Sequence, residues 1–147
     1  MAKKTALQRT MVRRLMKLAV LLYRRSGGRI GGTLKGAPVL LLSTTGRKSG
    51  KTWTTPLIYQ HDEQRLIVIA SNAGSDKHPS WWLNLRSTPR AVVELGRNKI
   101  EVTASEASDA TRDRLWALMA AVHPGYNDYT TRTTRRLPVV VLDPVAP

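Results

Sequence analysis

The chain has no cysteine and no phenylalanine, and its first 61 residues hold no aspartate or glutamate. Without thiols, disulfide scaffolds, iron–sulfur clusters, zinc–cysteine sites and thiolate nucleophiles are excluded. Histidine is scarce too: His61, His78 and His123 lie far apart, with no serine or carboxylate pattern beside them, so neither a hydrolase nor a metal site is expected. No G-x-G-x-x-G follows a strand-like run, which removes the usual dinucleotide signal. In the amino-terminal segment the longest uncharged run, Leu18 to Tyr23, falls far short of the roughly 20 residues of a membrane span. Arg24 and Arg25 cut that run before any small-residue cleavage site, so export is not expected.

What remains is one domain's length, 147 residues, with a formal charge of +14 that is unevenly placed. Thirteen of the 24 basic side chains lie in residues 1–61, while all ten acidic ones lie beyond, from Asp62 onward. The amino-terminal part is therefore the cationic face, suited to phosphates, polycarboxylates or anionic headgroups. The spacing of Leu7, Met11, Leu15, Leu18 and Leu22 predicts an amphipathic helix, with Arg9, Arg13 and Lys17 opposite. Two uses of that stripe stay open: packing on the domain, or peripheral contact with an anionic membrane through residues 5–25. The glycine-rich stretch Ser26 to Gly32 is read as a linker. The chain thus divides into residues 1–35, a basic helix and linker, and 36–147, a globular domain.

Six strands are expected in that domain: Val39–Thr44, Thr52–Tyr59, Leu66–Ala70, Arg90–Leu95, Lys99–Ala104 and Pro138–Leu142. Turns are read at Gly46–Gly50 and His61–Gln64, and Gly96-Arg97-Asn98 marks a hairpin. A short helical segment at Ser80–Leu85 and a longer helix at Asp109–Val122, capped by Ser108, lie between strands. Connections this short exclude repeated βαβ units and favour a mostly antiparallel sheet or barrel.

Gly46-Arg47-Lys48-Ser49-Gly50-Lys51-Thr52 ends like a phosphate loop, but the spacing is one residue short and a strand follows where a helix is needed. A pliable turn carrying Arg47, Lys48 and Lys51, with the Ser49 hydroxyl, still suits an anion. Tyr126 and Tyr129 stand three apart just after a helix, where both phenols can face one cavity.

Three stretches, Leu40–Pro56 (LLLSTTGRKSGKTWTTP), Ile69–Asn84 (IASNAGSDKHPSWWLN) and His123–Leu142 (HPGYNDYTTRTTRRLPVVVL), resemble in order and spacing the deazaflavin-dependent nitroreductase family of actinobacteria. The resemblance covers roughly residues 36–145. It implies a mainly β, α+β fold: a six-stranded antiparallel split β-barrel of the flavin-reductase-like kind, with helices between strands. It also implies binding of reduced coenzyme F420 and hydride transfer to a quinone, enone or nitro-type acceptor. The cofactor's phosphodiester and glutamate carboxylates are a fitting counterpart for the cationic turn.

By resemblance, Arg47, Lys48 and Ser49 hold the phosphate, and Trp53, Thr54, Thr55, Pro56, Leu57 and Ile58 line phosphate and ring. Ile69, Ala70, Ser71 and Asn72 contact the deazaflavin, and Ser80, Trp81, Trp82, Leu83 and Asn84 close the pocket. Tyr126 sits over the ring, and Tyr126 or Tyr129 supplies a proton or hydrogen bond to the acceptor. Departures from the family pattern are Trp53 in place of an arginine, Asn72 in place of a lysine, and His123 in place of a tyrosine. An imidazole at 123 is the third candidate catalytic group, because it can give a proton at neutral pH where a phenol usually only hydrogen-bonds.

The other readings are FMN as cofactor, a cofactor- or fatty-acid-binding barrel without fast turnover, and a nucleic-acid-binding barrel. The last is disfavoured because no stacking platform or recognition helix is evident. The expected location is the cytoplasm, with the inner face of the membrane as the place of any peripheral contact.

Overall fold

A computed structural model describes residues 5–145. Helix α1 (Ala6–Ser26) starts where the Thr5 side chain accepts from the Gln8 N–H and the Gln8 side chain accepts in return from Thr5 N–H. It stops at Gly27, whose left-handed backbone costs a glycine little. Eight strands follow: β1 (Thr33–Leu34), β2 (Ala37–Thr45), β3 (Thr52–Ile58), β4 (Gln60–Asp62), β5 (Arg65–Ile69), β6 (Arg90–Leu95), β7 (Asn98–Glu106) and β8 (Val139–Pro144). Helices α2 (Ser80–Ser87), α3 (Asp109–Val122) and α4 (Gly125–Tyr129) lie among them, with a single 3₁₀ turn at Asn72–Gly74.

All strand pairs are antiparallel, in the order β3-β2-β6-β7-β8-β5-β4, with β1 also on β2. β3 and β4 stand at the two ends of this order yet are consecutive in the chain with only Tyr59 between them, so the sheet is curled on itself into a split barrel. The six expected strands are all present. The two additional ones correct the reading of their segments. β4 occupies the first half of the stretch read as the turn His61–Gln64, and the turn shrinks to Glu63 and Gln64, with Glu63 in the left-handed region. β1 lies in the run that precedes the domain, too short to show a period of two.

The apolar runs on β2, β5 and β8 do not alternate with polar residues because both their faces are covered. Leu40, Leu42, Leu66, Val68, Val140 and Leu142 form one cluster with Val93, Val102, Trp82 and Leu85. The intervening residues Val39, Ile67, Ile69, Val139 and Val141 form a second under α3 and α4, with Leu115, Met119 and Tyr126.

α1 docks through a face other than the leucine stripe. Val20 and Tyr23 are buried against Leu41, whereas Leu7, Met11, Leu15, Leu18 and Leu22 all remain exposed. The Tyr23 hydroxyl donates to the Val39 carbonyl at 3.1 Å and accepts from Gly96 N–H at 2.9 Å. Arg24 reaches Glu94, a carboxylate only 5% exposed, at 2.9–3.3 Å. The glycine stretch read as a linker is a fitted turn: Gly28 N–H donates to Tyr23 O at 2.9 Å, and a Cβ on Gly32 would stand 1.9 Å from Gly28 O.

Candidate functional site

The β2–β3 turn is built before any side chain is considered. Gly46 N–H donates to Lys51 O at 2.7 Å and Gly50 N–H to Gly46 O at 2.8 Å, leaving Arg47, Lys48, Ser49 and Lys51 exposed around a closed loop. α2 fixes its orientation. The buried Asn84 side chain accepts from Arg47 N–H at 3.1 Å and from the Arg47 guanidinium at 3.0 Å, and donates to the Thr44 hydroxyl at 3.2 Å. Arg47 also reaches the Ser80 carbonyl, and the Trp53 indole, 47% exposed, lies against Gly46. The ammonium groups of Lys48 and Lys51 have no protein partner among the described residues, so the turn presents cationic groups outward. The Ser49 hydroxyl is engaged locally, accepting from Lys51 N–H at 3.2 Å.

From this turn β3 leads directly to a cleft of about 330 Å³. One wall is Thr55, Pro56, Leu57 and Ile58; opposite stand Ile69, Ser71, Asn72 and Ala73, with Pro79 and Trp81 from the start of α2 and His123, Tyr126 and Tyr129 beyond them. A cleft of this size lies at the lower end of those that hold small ligands, roughly 300–1,000 Å³. Eleven of the candidate site residues meet in it, and a second group, Arg47, Lys48, Ser49, Trp53, Ser80 and Asn84, gathers at the turn, while the Thr54 hydroxyl bonds Ser43 and Arg24 instead. Three more stand elsewhere. Ala70 and Trp82 are buried in the core cluster, and Leu83, half-buried on α2, is outside the cleft lining. On a helix, successive residues point in different directions, so a contiguous stretch cannot all face one ligand.

The aromatic corner is compact. His123 is buried, its Nε2 lies 3.4 Å from the Tyr129 hydroxyl, and its ring meets Tyr126 edge-on at 4.8 Å. Gly125 makes this possible, since a Cβ there would stand 2.9 Å from His123 Nε2. Tyr126 and Tyr129 meet edge-to-face at 5.9 Å, and Arg132 lies over the Tyr129 ring. Burial, and secondarily Tyr129, push the Tyr126 phenol well above its ordinary value, so it remains protonated at any physiological pH.

Several residues of the site carried no local signal. Leu34 and Lys35 line the cleft from the end of β1. Arg135 holds the opposite wall: its guanidinium donates to Ser75 O at 2.7 Å and Ser71 O at 2.9 Å, reaches Ala70 O, and meets His78 Nδ1 at 3.2 Å. This one side chain ties down a segment in which Asn72 and Ala73 both adopt positive φ. It sits about sixty residues from its partners in sequence, inside the run Thr131 to Arg136 that looks like a solvated charged loop.

A family model described as F420H(2)-dependent quinone reductase matches residues 15–144. The chain belongs to that family. It is 37% identical over 132 residues to an F420H(2)-dependent quinone reductase of Mycobacterium tuberculosis, covering 87% of this chain and 89% of that protein. Among solved structures it is similar to an F420-H2 dependent reductase, FDR-A, at 34% identity and a TM-score of 0.67 over 72% of this chain and 94% of that one. A domain-swapped dimer at 30% identity has a TM-score of 0.70 over 86% of this chain and 95% of that one. The match refines the resemblance read from the sequence, since the family is described by quinone rather than nitro reduction. It also extends the family match into the second half of α1, which the motif-based resemblance left out.

Proposed function

We propose that this protein is a reductase that uses reduced coenzyme F420 and delivers a hydride to a quinone-type acceptor in the cleft between β3 and the His123–Tyr129 corner. The observation that carries the reading is the continuity of two unlike surfaces, an outward cationic turn at Arg47–Lys51 and an aromatic-walled cleft, joined through β3 and α2. A ligand with an anionic tail and a flat ring system needs that combination, and the residues present fit the cofactor on these grounds. Enone and nitro compounds make the same demand on the cleft and are further acceptors to test.

When bound, the reduced deazaflavin supplies the hydride. The chain's own part is placement and proton management. Lys48, Lys51 and Arg47 neutralise the anionic tail, while Thr55–Ile58 and Trp81 provide flat apolar walls that exclude water from the ring. Hydride arrival places negative charge on an acceptor oxygen, and His123 and Tyr129, already in contact, provide hydrogen-bond donors for it. Tyr126 stays a phenol and acts by hydrogen bonding and packing rather than as a base.

Equilibrium titration with coenzyme F420 and separately with FMN, followed by tryptophan quenching, tests the cofactor. Tighter binding of the deazaflavin supports the reading; preference for FMN overturns it. Failure to reduce a quinone with the cofactor bound would make the protein a binding barrel. His123→Phe is expected to leave cofactor affinity unchanged and to lower kcat with quinone about tenfold or more, in line with the contribution of a general acid; an unchanged rate removes His123 from the chemistry.

A specific observation supports peripheral contact with an anionic membrane. The stripe Leu7, Met11, Leu15, Leu18 and Leu22 is uncovered, with Leu7 71% and Leu15 63% exposed, on a helix without a single acidic residue. No helix among the described residues is long and apolar enough to cross a membrane. Such contact suits an enzyme whose acceptor is apolar.

A further inference from the structure

Where α1 ends, the fold builds a second cationic cleft that hydride transfer does not use. Arg25, Arg29 and Arg97, with Ser26, Gly27 and Ile30, line a cavity of about 620 Å³ between the end of α1, the glycine turn and the tip of the β6–β7 hairpin. Arg25 and Arg29 lie four residues apart, and Arg97 joins them from a distant part of the sequence because two backbones touch. A Cβ on Gly28 would stand 3.1 Å from Gly96 Cα, and one on Gly96 would stand 3.1 Å from Gly27 O. Arg97 folds over Gly27 so closely that a Cβ there would meet its Nε at 2.8 Å. None of the three has a carboxylate partner among the described residues. The acid nearest Arg97 in sequence on its own hairpin, Glu94, is buried and already bound by Arg24.

The position of this cleft selects its ligand. At 100° per residue Arg25 falls on the same face as Leu7, Leu18 and Leu22, so the exposed stripe runs into the cleft, and Ile30 at its rim is 54% exposed. An apolar track ending in three guanidinium groups matches an amphiphile whose phosphate follows its acyl chains. Self-association through the same stripe is opposed, since two copies of α1 would bring together only positive charges. We infer that Arg25, Arg29 and Arg97 bind the phosphate of an anionic phospholipid and thereby orient α1 on the membrane surface. This rests on the peripheral contact proposed above and adds to it a specific headgroup site.

The test is sedimentation of the full-length chain with phosphatidylcholine vesicles, with and without phosphatidylglycerol. Wild type is compared with the triple variant Arg25→Gln, Arg29→Gln, Arg97→Gln and with Arg9→Gln, Arg13→Gln, Lys17→Gln, which removes equal charge from the opposite side of α1. The cleft variant is expected to lose at least about tenfold in partition onto the anionic vesicles, and the helix variant no more than about threefold. Soluble glycerol phosphate competing as well as the vesicles do would make the cleft a site for a free phosphate and overturn the lipid assignment. Equal losses in both variants would overturn the headgroup site while leaving general membrane attraction in place. Wild type that ignores anionic vesicles would overturn the peripheral contact itself, and a concentration-dependent dimer broken by Leu15→Ser and Leu18→Ser would give the stripe to a second copy. Weaker binding of coenzyme F420 by the cleft variant, with an unchanged melting temperature, would reassign the arginines to the cofactor.

Discussion

Arginine does opposite work in the two halves of this chain. Beyond residue 61 it is mostly turned inward on the protein: Arg114 and Arg65 hold Asp62, Arg112 donates to the Leu137 carbonyl at 2.7 Å, Arg136 pairs with Asp109, and Arg135 gathers backbone carbonyls and His78. Before residue 61 only Arg24 and Arg47 have side-chain partners among the described residues, Glu94 with Thr54 for the one and Asn84 with Ser80 for the other. The remaining first-half cations among the described residues face solvent. The lesson is that an excess of one charge matters where acids are lacking: with no carboxylate nearby, a guanidinium is available to an anion from outside.

Replacing an inward arginine tests the contrast most severely. Arg135→Met removes the side-chain donors to the carbonyls of Ala70, Ser71 and Ser75 and is expected to destabilise the fold by about 3 kcal/mol in urea titrations, because these carbonyls lose their donor together. Arg135→Lys should recover only part of this, since an ammonium cannot span the same fork. Tyr23→Phe is the next largest, about 1–2 kcal/mol, as the Gly96 N–H loses its acceptor. Outward cations should behave differently. Lys48→Gln with Lys51→Gln is expected to weaken coenzyme F420 binding about tenfold while changing stability by no more than about 0.5 kcal/mol, measured by titration and by melting. A comparable stability loss at the turn would erase the distinction.

The smallest effect is confined to acid. Asp62 is held down from the ordinary 3.8 to about 2 by hydrogen bonds from Arg114 and then Arg65. A carboxyl lower in the folded than in the unfolded state adds stability above its unfolded value and loses it as the pH falls through its folded one. Melting temperature should therefore decline between about pH 4 and 2 through this group, and Asp62→Asn should flatten that part of the profile.

Much of the barrel was legible because its signals are local. Apolar and β-branched runs and glycine turns marked six strands, and the run at Gly46–Lys51 marked a cationic turn by its charge and its two glycines. β4 was hidden because three residues, Gln60–Asp62, show no period, and only pairing with β5 makes them a strand. The cleft was legible in part. Tyr126 and Tyr129 stand close in sequence, but the wall opposite depends on Arg135, whose partners lie about sixty residues away. The same limit explains α1: its stripe is plain in the sequence, yet Val20 and Tyr23, on another face, are the residues that dock.

By itself, then, the sequence determined the absence of thiol chemistry, the cationic amino-terminal half, the order of the main strands and the family to which the chain belongs. Which guanidinium meets a carbonyl, which meets a carboxylate and which is left for a ligand was decided only by the tertiary structure. The reason is physical: charge and periodicity are properties of neighbouring residues, whereas a hydrogen-bond partner is chosen by whichever distant backbone the curled sheet brings within about 3 Å.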